Sequence, residues 1–125
     1  MVRIAIVDDS RLARTFTRKC LEPLGHELVE IEPTSLFDVL SQLRETPPDL
    51  LLMDLLMPNC PGASLARAFC EDRRLQDVRL LMISAHRDDA LQERLSNFGV
   101  DAFLLKPFEP QSLVELVQGL LESRE

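Results

Sequence analysis

No apolar run in this 125-residue sequence approaches the roughly 20 residues that a membrane-spanning helix requires. The first apolar stretch, Ile4-Ala5-Ile6-Val7, meets Asp8-Asp9 too early for a signal peptide, so a cytoplasmic protein with no membrane partner is expected. Cysteine is scarce. Cys20, Cys60 and Cys70 are an odd number without the close spacing of a zinc or redox pair, which argues against a disulfide framework and suits a reducing compartment. Positive charge is in the minority, with 14 Lys and Arg against 21 Asp and Glu, and the basic residues are scattered singly or in short pairs. A net charge of -7 without a basic stripe opposes direct binding to nucleic acid. His26 and His86 lack partners at metal-ligand spacing, so zinc is not expected. There is no repeat, low-complexity tract or linker. With 46% apolar residues, the chain can close one hydrophobic core but not two, and residues 1–125 read as one domain with no output domain.

Five short β-rich runs are present, at Arg3-Val7, His26-Ile31, Asp49-Met53, Arg79-Ile83 and Ala102-Leu105. They alternate with longer stretches whose apolar residues recur at helical spacing. The predicted buried stripes are Ala13, Phe16, Cys20 and Leu24; Leu36, Val39, Leu40 and Leu43; Leu65, Ala66, Phe69 and Cys70; Leu91, Leu95 and Phe98; and Leu113, Leu116, Val117, Leu120 and Leu121. Ser10, Thr34 or Ser35, and Asp88 are candidate N-caps; Pro110 suits a first helical turn, and Gly25 and Gly99 follow helix ends. Such alternation implies an α/β fold built from βα units. The runs Leu50-Leu51-Leu52-Met53 and Leu80-Leu81-Met82-Ile83 are continuously apolar, as expected of central strands covered on both faces, whereas the second run is polar enough for an edge. Right-handed crossovers then favour an open parallel sheet with helices on both sides.

The polar residues of interest stand where apolar strands run out: Asp8-Asp9, Asp54, Ser84 and Lys106. In an open α/β sheet the ligand crevice lies outside the carboxyl ends of the strands, so these four segments converge. Three carboxylates in one crevice repel, each pair at 4 Å by on the order of 4 kcal/mol at a surface-like dielectric. A hard divalent cation taking carboxylate oxygens, a backbone carbonyl and waters would offset this, and Mg²⁺ is the common cellular candidate. Without it, coupled titration with at least one raised pKa is expected. A Mg²⁺-supported Asp54 carboxylate can act as a nucleophile toward phosphorus, giving an acyl phosphate. Lys106 can supply a second positive charge, and the Ser84 hydroxyl a hydrogen bond to a phosphoryl oxygen.

Val7-Asp8-Asp9-Ser10, Met53-Asp54-Leu55-Leu56-Met57-Pro58, Ser84-Ala85 and Leu105-Lys106-Pro107-Phe108 stand in that order at strand ends, and in this combination the chain resembles a response-regulator receiver domain of the stand-alone, chemotaxis-regulator-like kind. The likeness covers essentially the whole chain. It implies a doubly wound (βα)5, flavodoxin-like domain with sheet order 2-1-3-4-5. It also implies that Asp54 is the phosphoacceptor, Asp9 a direct Mg²⁺ ligand, Asp8 a ligand acting mainly through water, and Leu56 the donor of a backbone carbonyl to the metal. Ser84 would be the switch hydroxyl, Phe103 the aromatic that swings inward behind it, and Lys106 the lysine that pairs with Asp54 and then with phosphoryl oxygens. The bond before Pro107 would be cis.

The function so implied is a signalling switch rather than an enzyme. A histidine kinase or histidine phosphotransfer protein would donate the phosphoryl group, and the surface formed by the fourth helix, fifth strand and fifth helix would respond. A downstream protein would read that surface, or phosphate would pass onward in a relay, with the chain a monomer or a phosphorylation-dependent dimer. Other readings remain beside this one. The chain could be the amino-terminal receiver of a longer regulator, or a receiver-like interaction module that never meets phosphate, although the latter would be expected to have lost a site residue. A small aspartate-nucleophile phosphatase would place a second acid two residues after Asp54, where Leu56 stands.

Each motif also has a plainer reading: an Asp-Asp pair as a solvated cap, Asp54 as a turn residue, Lys106 as a polar strand exit, Phe103 as core. Joint occurrence at neighbouring strand ends outweighs these readings for the first three; the role of Phe103 rests on resemblance alone. Leu56 and His86 occupy positions that influence acyl-phosphate lifetime in the family, and they act in opposite senses, Leu56 by shielding and His86 by orienting water or attracting phosphate. Cys60 reads as a spectator thiol. Arg11, Arg14, Arg18 and Lys19 are expected on the outer side of the first helix, as a solvated face or as a dock for an acidic or phosphohistidine-bearing partner.

Overall fold

The continuous apolar runs of the sequence form the middle of a five-stranded sheet, because a strand covered on both faces has no polar side to alternate with. The computed structural model describes residues 2–57 and 60–122, so Pro58 lies outside the described residues. Its strands are β1 (Arg3–Val7), β2 (Glu27–Ile31), β3 (Leu50–Asp54), β4 (Arg79–Ser84) and β5 (Ala102–Leu105). All are parallel, in the order β2-β1-β3-β4-β5. The helices are α1 (Arg11–Leu21), α2 (Leu36–Glu45), α3 (Gly62–Glu71), α4 (Asp89–Phe98) and α5 (Pro110–Glu122).

Successive side chains of a strand point to opposite faces, so each apolar run feeds two cores. Leu51 and Met53 of β3, with Leu80 and Met82 of β4, meet Val39, Leu43, Leu65, Phe69 and Leu95 from α2, α3 and α4. Leu50, Leu52, Leu81 and Ile83 meet Leu21 of α1 and Leu113 and Val117 of α5. The second strand lies at an edge, as its charged residues require.

Helix starts follow local chemistry. Ser10 Oγ accepts from the Ala13 amide, Ser35 Oγ from Asp38, and Asp88 Oδ1 from Leu91, each satisfying an amide that the first helical turn leaves without a partner. Ser35 rather than Thr34 is therefore the cap of α2; the Thr34 hydroxyl instead donates to the Asp38 carboxylate. Gly99, at a φ of +124°, closes α4.

Two of the expected stripes differ in part: that of α1 is rotated, whereas in α4 Leu95 is buried and Leu91 packs against the core as expected and only Phe98 turns outward. Phe16 is 46% exposed, and the buried residues of α1 are Arg14, Thr17 and Leu21. Phe98 of α4 is 43% exposed, with the Arg67 guanidinium 5.5 Å from its ring centroid. In both cases an aromatic ring gains contact from a neighbouring side chain at the surface instead of from the core, a distinction that helical periodicity does not contain.

Candidate functional site

The chain leaves β1 for β2 at one edge and then returns across β1 to β3, so the strand order reverses beside β1. Val7 pairs with Met53 across that point, which sets Asp8 and Asp54 at the same level. Asp54 ends β3 opposite Ile83, whose carbonyl accepts from the Leu55 amide at 2.9 Å. Ser84 ends β4 opposite Leu105, and its carbonyl accepts from the Lys106 amide at 2.8 Å. Backbone pairing thus continues past the strands and fixes where each polar side chain emerges.

One carboxylate oxygen from each of Asp8, Asp9 and Asp54 lies within 4.8 Å of the others. Asp8 is buried and doubly held: Oδ1 accepts from the Ser10 amide at 2.9 Å and Oδ2 from Lys106 Nζ at 3.3 Å. Lys106 Nζ also stands 3.6 Å from Asp54 Oδ1, bridging the two acids. Asp9 is exposed. Burial first, then the charges of Asp8 and Asp9, push the Asp54 carboxyl above its ordinary range; Lys106 and the Leu56 amide pull the other way without reversing the shift. The raised pKa expected of the cluster falls on Asp54. Oxygen-only donors, closely grouped, with one acid open to solvent and one cation already drawn in, suit a small hard divalent ion that keeps several waters.

Around this centre, Ser84 is buried and its hydroxyl is engaged locally, donating to the His86 carbonyl at 2.9 Å and accepting from the His86 amide at 3.1 Å. Phe103 is half-buried against the core on the α2-α3-α4 side. Leu56 and His86 are both exposed at the mouth of the crevice. The Lys106-Pro107 bond is cis, as anticipated.

The expected basic outer face of α1 holds for Arg11 and Lys19, which are exposed, and needs correction at Arg14. Arg14 is buried, donates from Nη1 to the Asp8 carbonyl, and lies with Nε 3.4 Å from Glu30 Oε1; Arg18 Nη1 meets Glu30 Oε2 at 3.3 Å. Glu30 on the edge strand pairs with both arginines, the buried Arg14 and the more exposed Arg18. Beside the crevice α1 also presents apolar side chains: Leu12, 81% exposed, and Phe16, whose ring centroid is 5.7 Å from that of Phe108. These residues, with Ala13, Ala85, Lys106 and Pro107, line an open groove of about 790 Å³. The sequence carried a signal for Arg14, since Arg14, Thr17 and Leu21 are themselves at helical spacing, but a charged residue is read as solvent-facing until an opposite charge is known to face it.

The family model described as "Response regulator receiver domain" matches residues 4–118. The chain belongs to that family. This receiver domain is 30% identical over 118 residues to the phosphate regulon transcriptional regulatory protein PhoB of Pseudomonas aeruginosa, covering 94% of this chain and 51% of the relative. It is 26% identical to the polar-differentiation response regulator DivK of Brucella ovis, covering 94% of both. It spans about half or less of the first curated relatives it matches, with 33% of the cyclic di-GMP phosphodiesterase response regulator RpfG of Xanthomonas campestris as a further case. The Vibrio cholerae chemotaxis protein CheY4 shares the fold with a TM-score of 0.86 at 22% identity, covering 96% of this chain and 98% of that one. The expected sheet order and doubly wound architecture are both present. Receiver domains belong to two-component signalling, so a phosphorylation-dependent role fits this chain.

Proposed function

We propose that this receiver domain is a switch in which Asp54 accepts a phosphoryl group from a phosphohistidine. The observation that carries the reading is the meeting of the Asp8, Asp9 and Asp54 carboxylates with Lys106 Nζ between two of them. Asp8, Asp9, Asp54 and the Leu56 backbone carbonyl would hold Mg²⁺. When bound, the ion supplies the positive charge that keeps the carboxylates ionised and draws electron density from phosphoryl oxygens.

The protein's own groups do the rest. An Asp54 carboxylate oxygen attacks phosphorus; the new P–O bond forms as the P–N bond to the donor imidazole breaks, and the electron pair leaves with the imidazole nitrogen. Lys106, already reaching both acids, pairs with the transferred oxygens. Ser84 exchanges its bond to the His86 carbonyl for one to a phosphoryl oxygen, Phe103 follows into the space behind it, and the α4-β5-α5 surface changes. Leu56 and His86, exposed at the mouth, set how readily water reaches the acyl phosphate.

The donor is a histidine kinase or histidine phosphotransfer protein. Its docking is supported by the apolar groove of Leu12, Phe16 and Phe108, which opens beside Lys106 and so within reach of Asp54. The free, unbridged cysteines suit a cytoplasmic setting. The output is a protein partner or onward phosphotransfer, with the switch a monomer or a phosphorylation-dependent dimer. A second reading, the amino-terminal receiver of a longer regulator, is favoured by the 51% and 33% spans of the relatives that the chain covers.

Incubation with a small acyl phosphate and Mg²⁺, followed by intact-mass measurement, is expected to add one phosphoryl group, lost on Asp54→Asn or with a chelator. Stoichiometric uptake by Asp54→Asn would overturn the assignment.

A further inference from the structure

Among the described residues Arg14 is the buried guanidinium, it lies beside the acidic crevice, and phosphotransfer chemistry as described above leaves it without a task. A charge nine-tenths removed from water is costly unless it is paired and hydrogen-bonded. Its pairing is incomplete: among the described residues, Arg14 Nε is the buried side-chain nitrogen or oxygen without a hydrogen-bond partner, although Glu30 Oε1 stands 3.4 Å from it. Fold stability alone gives a weak reason for such a group, since an apolar side chain of similar volume would fill the same space without desolvating a charge. The contact that Arg14 does complete is specific. Nη1 donates to the main-chain oxygen of Asp8 at 2.5 Å, while the Arg14 amide itself donates to the Ser10 carbonyl at 2.9 Å.

We propose that Arg14 is a positioning residue for the metal site, holding the Asp8-Asp9 peptide so that the exposed Asp9 carboxylate faces Asp8 and Asp54. The Asp8 carbonyl and the Asp9 amide belong to one planar unit, so fixing the carbonyl oxygen fixes the direction in which the chain enters Asp9. Asp8 is held elsewhere by the Ser10 amide and Lys106, but both of those bonds are to its side chain. Arg14 alone among the described hydrogen bonds reaches the main chain between the two acids from a side chain. Its guanidinium is in turn steadied by Glu30 on β2, which also meets Arg18. The arrangement places a rigid fork, rooted in α1 and braced from the edge strand, behind a loop that must present two carboxylates to one ion.

The proposal rests on the crevice being a Mg²⁺ site, and the experiment separates the two. Mg²⁺ binding is measured by calorimetry, and thermal unfolding in chelator, for the wild type, Arg14→Met and Arg14→Lys. Arg14→Met keeps the stem and removes the donors; its Mg²⁺ dissociation constant is expected to rise about tenfold, the scale of loss for a group that orients a ligand. Arg14→Lys, which retains a charged donor for the Asp8 carbonyl, is expected within about threefold of wild type, a rescue that follows if the retained donor still orients the loop. An Arg14→Met protein that unfolds earlier in chelator yet binds Mg²⁺ as the wild type does would overturn the positioning role and leave the metal site standing. A wild type that binds no Mg²⁺ would remove the metal site itself. Should Arg14→Met not fold, the Arg14 Nε–H resonance of the wild type decides: it is expected to shift with the same Mg²⁺ midpoint as the Asp9 amide, and a resonance unmoved by saturating Mg²⁺ would overturn the proposal.

Discussion

At the scale of single residues, Asp54 is held in a state that favours its neutral form. Burial and the neighbouring acids raise its pKa above the ordinary 3.8, so between that value and the raised one the folded chain binds more protons than the unfolded chain. Stability therefore falls as pH rises through this interval, and at neutral pH without metal the ionised Asp54 opposes folding. Asp54→Asn is expected to raise the melting temperature in chelator at pH 7, with the gain shrinking as the pH falls through the raised pKa and gone below the ordinary carboxylate value. A thermal-melt series across pH checks this; a gain that stayed constant into acid would contradict it. The same reasoning gives the proposed site its expected preference for cations. Repulsion stored among Asp8, Asp9 and Asp54 is released when positive charge arrives, and Lys106 supplies only part of it.

At the scale of elements, the first residue of α3 packs directly on the backbone at the end of β3. Gly62 donates its amide to the Leu55 carbonyl at 3.1 Å, and a Cβ placed on it would stand 2.4 Å from that oxygen and 2.8 Å from the Asp54 carbonyl oxygen. Those atoms are backbone and cannot turn aside as a flexible side chain could. Gly62→Ala is accordingly expected to cost about 3 kcal/mol in urea denaturation, at the upper end of overpacking effects, and to weaken Mg²⁺ binding with it. A change below about 0.5 kcal/mol, the size of a typical surface substitution, would show that the loop yields freely. Most elements were legible beforehand. The apolar runs at Leu50 and Leu80 marked central strands, and Ser10, Asp88 and Pro110 marked helix starts, because capping and burial act over a few adjacent residues. The rotation of α1 was not legible. Phe16 and Arg14 exchange expected places because Glu30, far away in sequence, faces Arg14.

At the scale of the whole molecule, two cores clamp one sheet, and the site lies where the order of its strands reverses. Ligand binding there would be linked to global folding. Mg²⁺ at about 100 times its dissociation constant is expected to stabilise the chain by about 2.7 kcal/mol, by mass action on the folded state alone. Asp9→Asn should abolish most of that gain while leaving stability in chelator near or above the wild type, since Asp9 is exposed and adds to the repulsion at Asp54. Denaturation with and without Mg²⁺ checks both halves, and an undiminished gain in Asp9→Asn would exclude Asp9 as a ligand.

The sequence by itself determined the alternation of strands and helices, the central place of β3 and β4, and the strand-end residues that meet in the crevice. Each of these follows from short-range periodicity, from the burial of apolar runs and from the rule that parallel strands present their carboxyl ends together. Only the tertiary structure decided that Lys106 bridges Asp8 and Asp54, that the Ser84 hydroxyl is turned to His86, and that Arg14 points inward behind Asp8 while Leu12 and Phe16 face out. Those choices depend on which charge or hydrogen-bond partner long-range packing brings within a few ångströms. Local sequence specifies the groups available for that pairing, but not their partners.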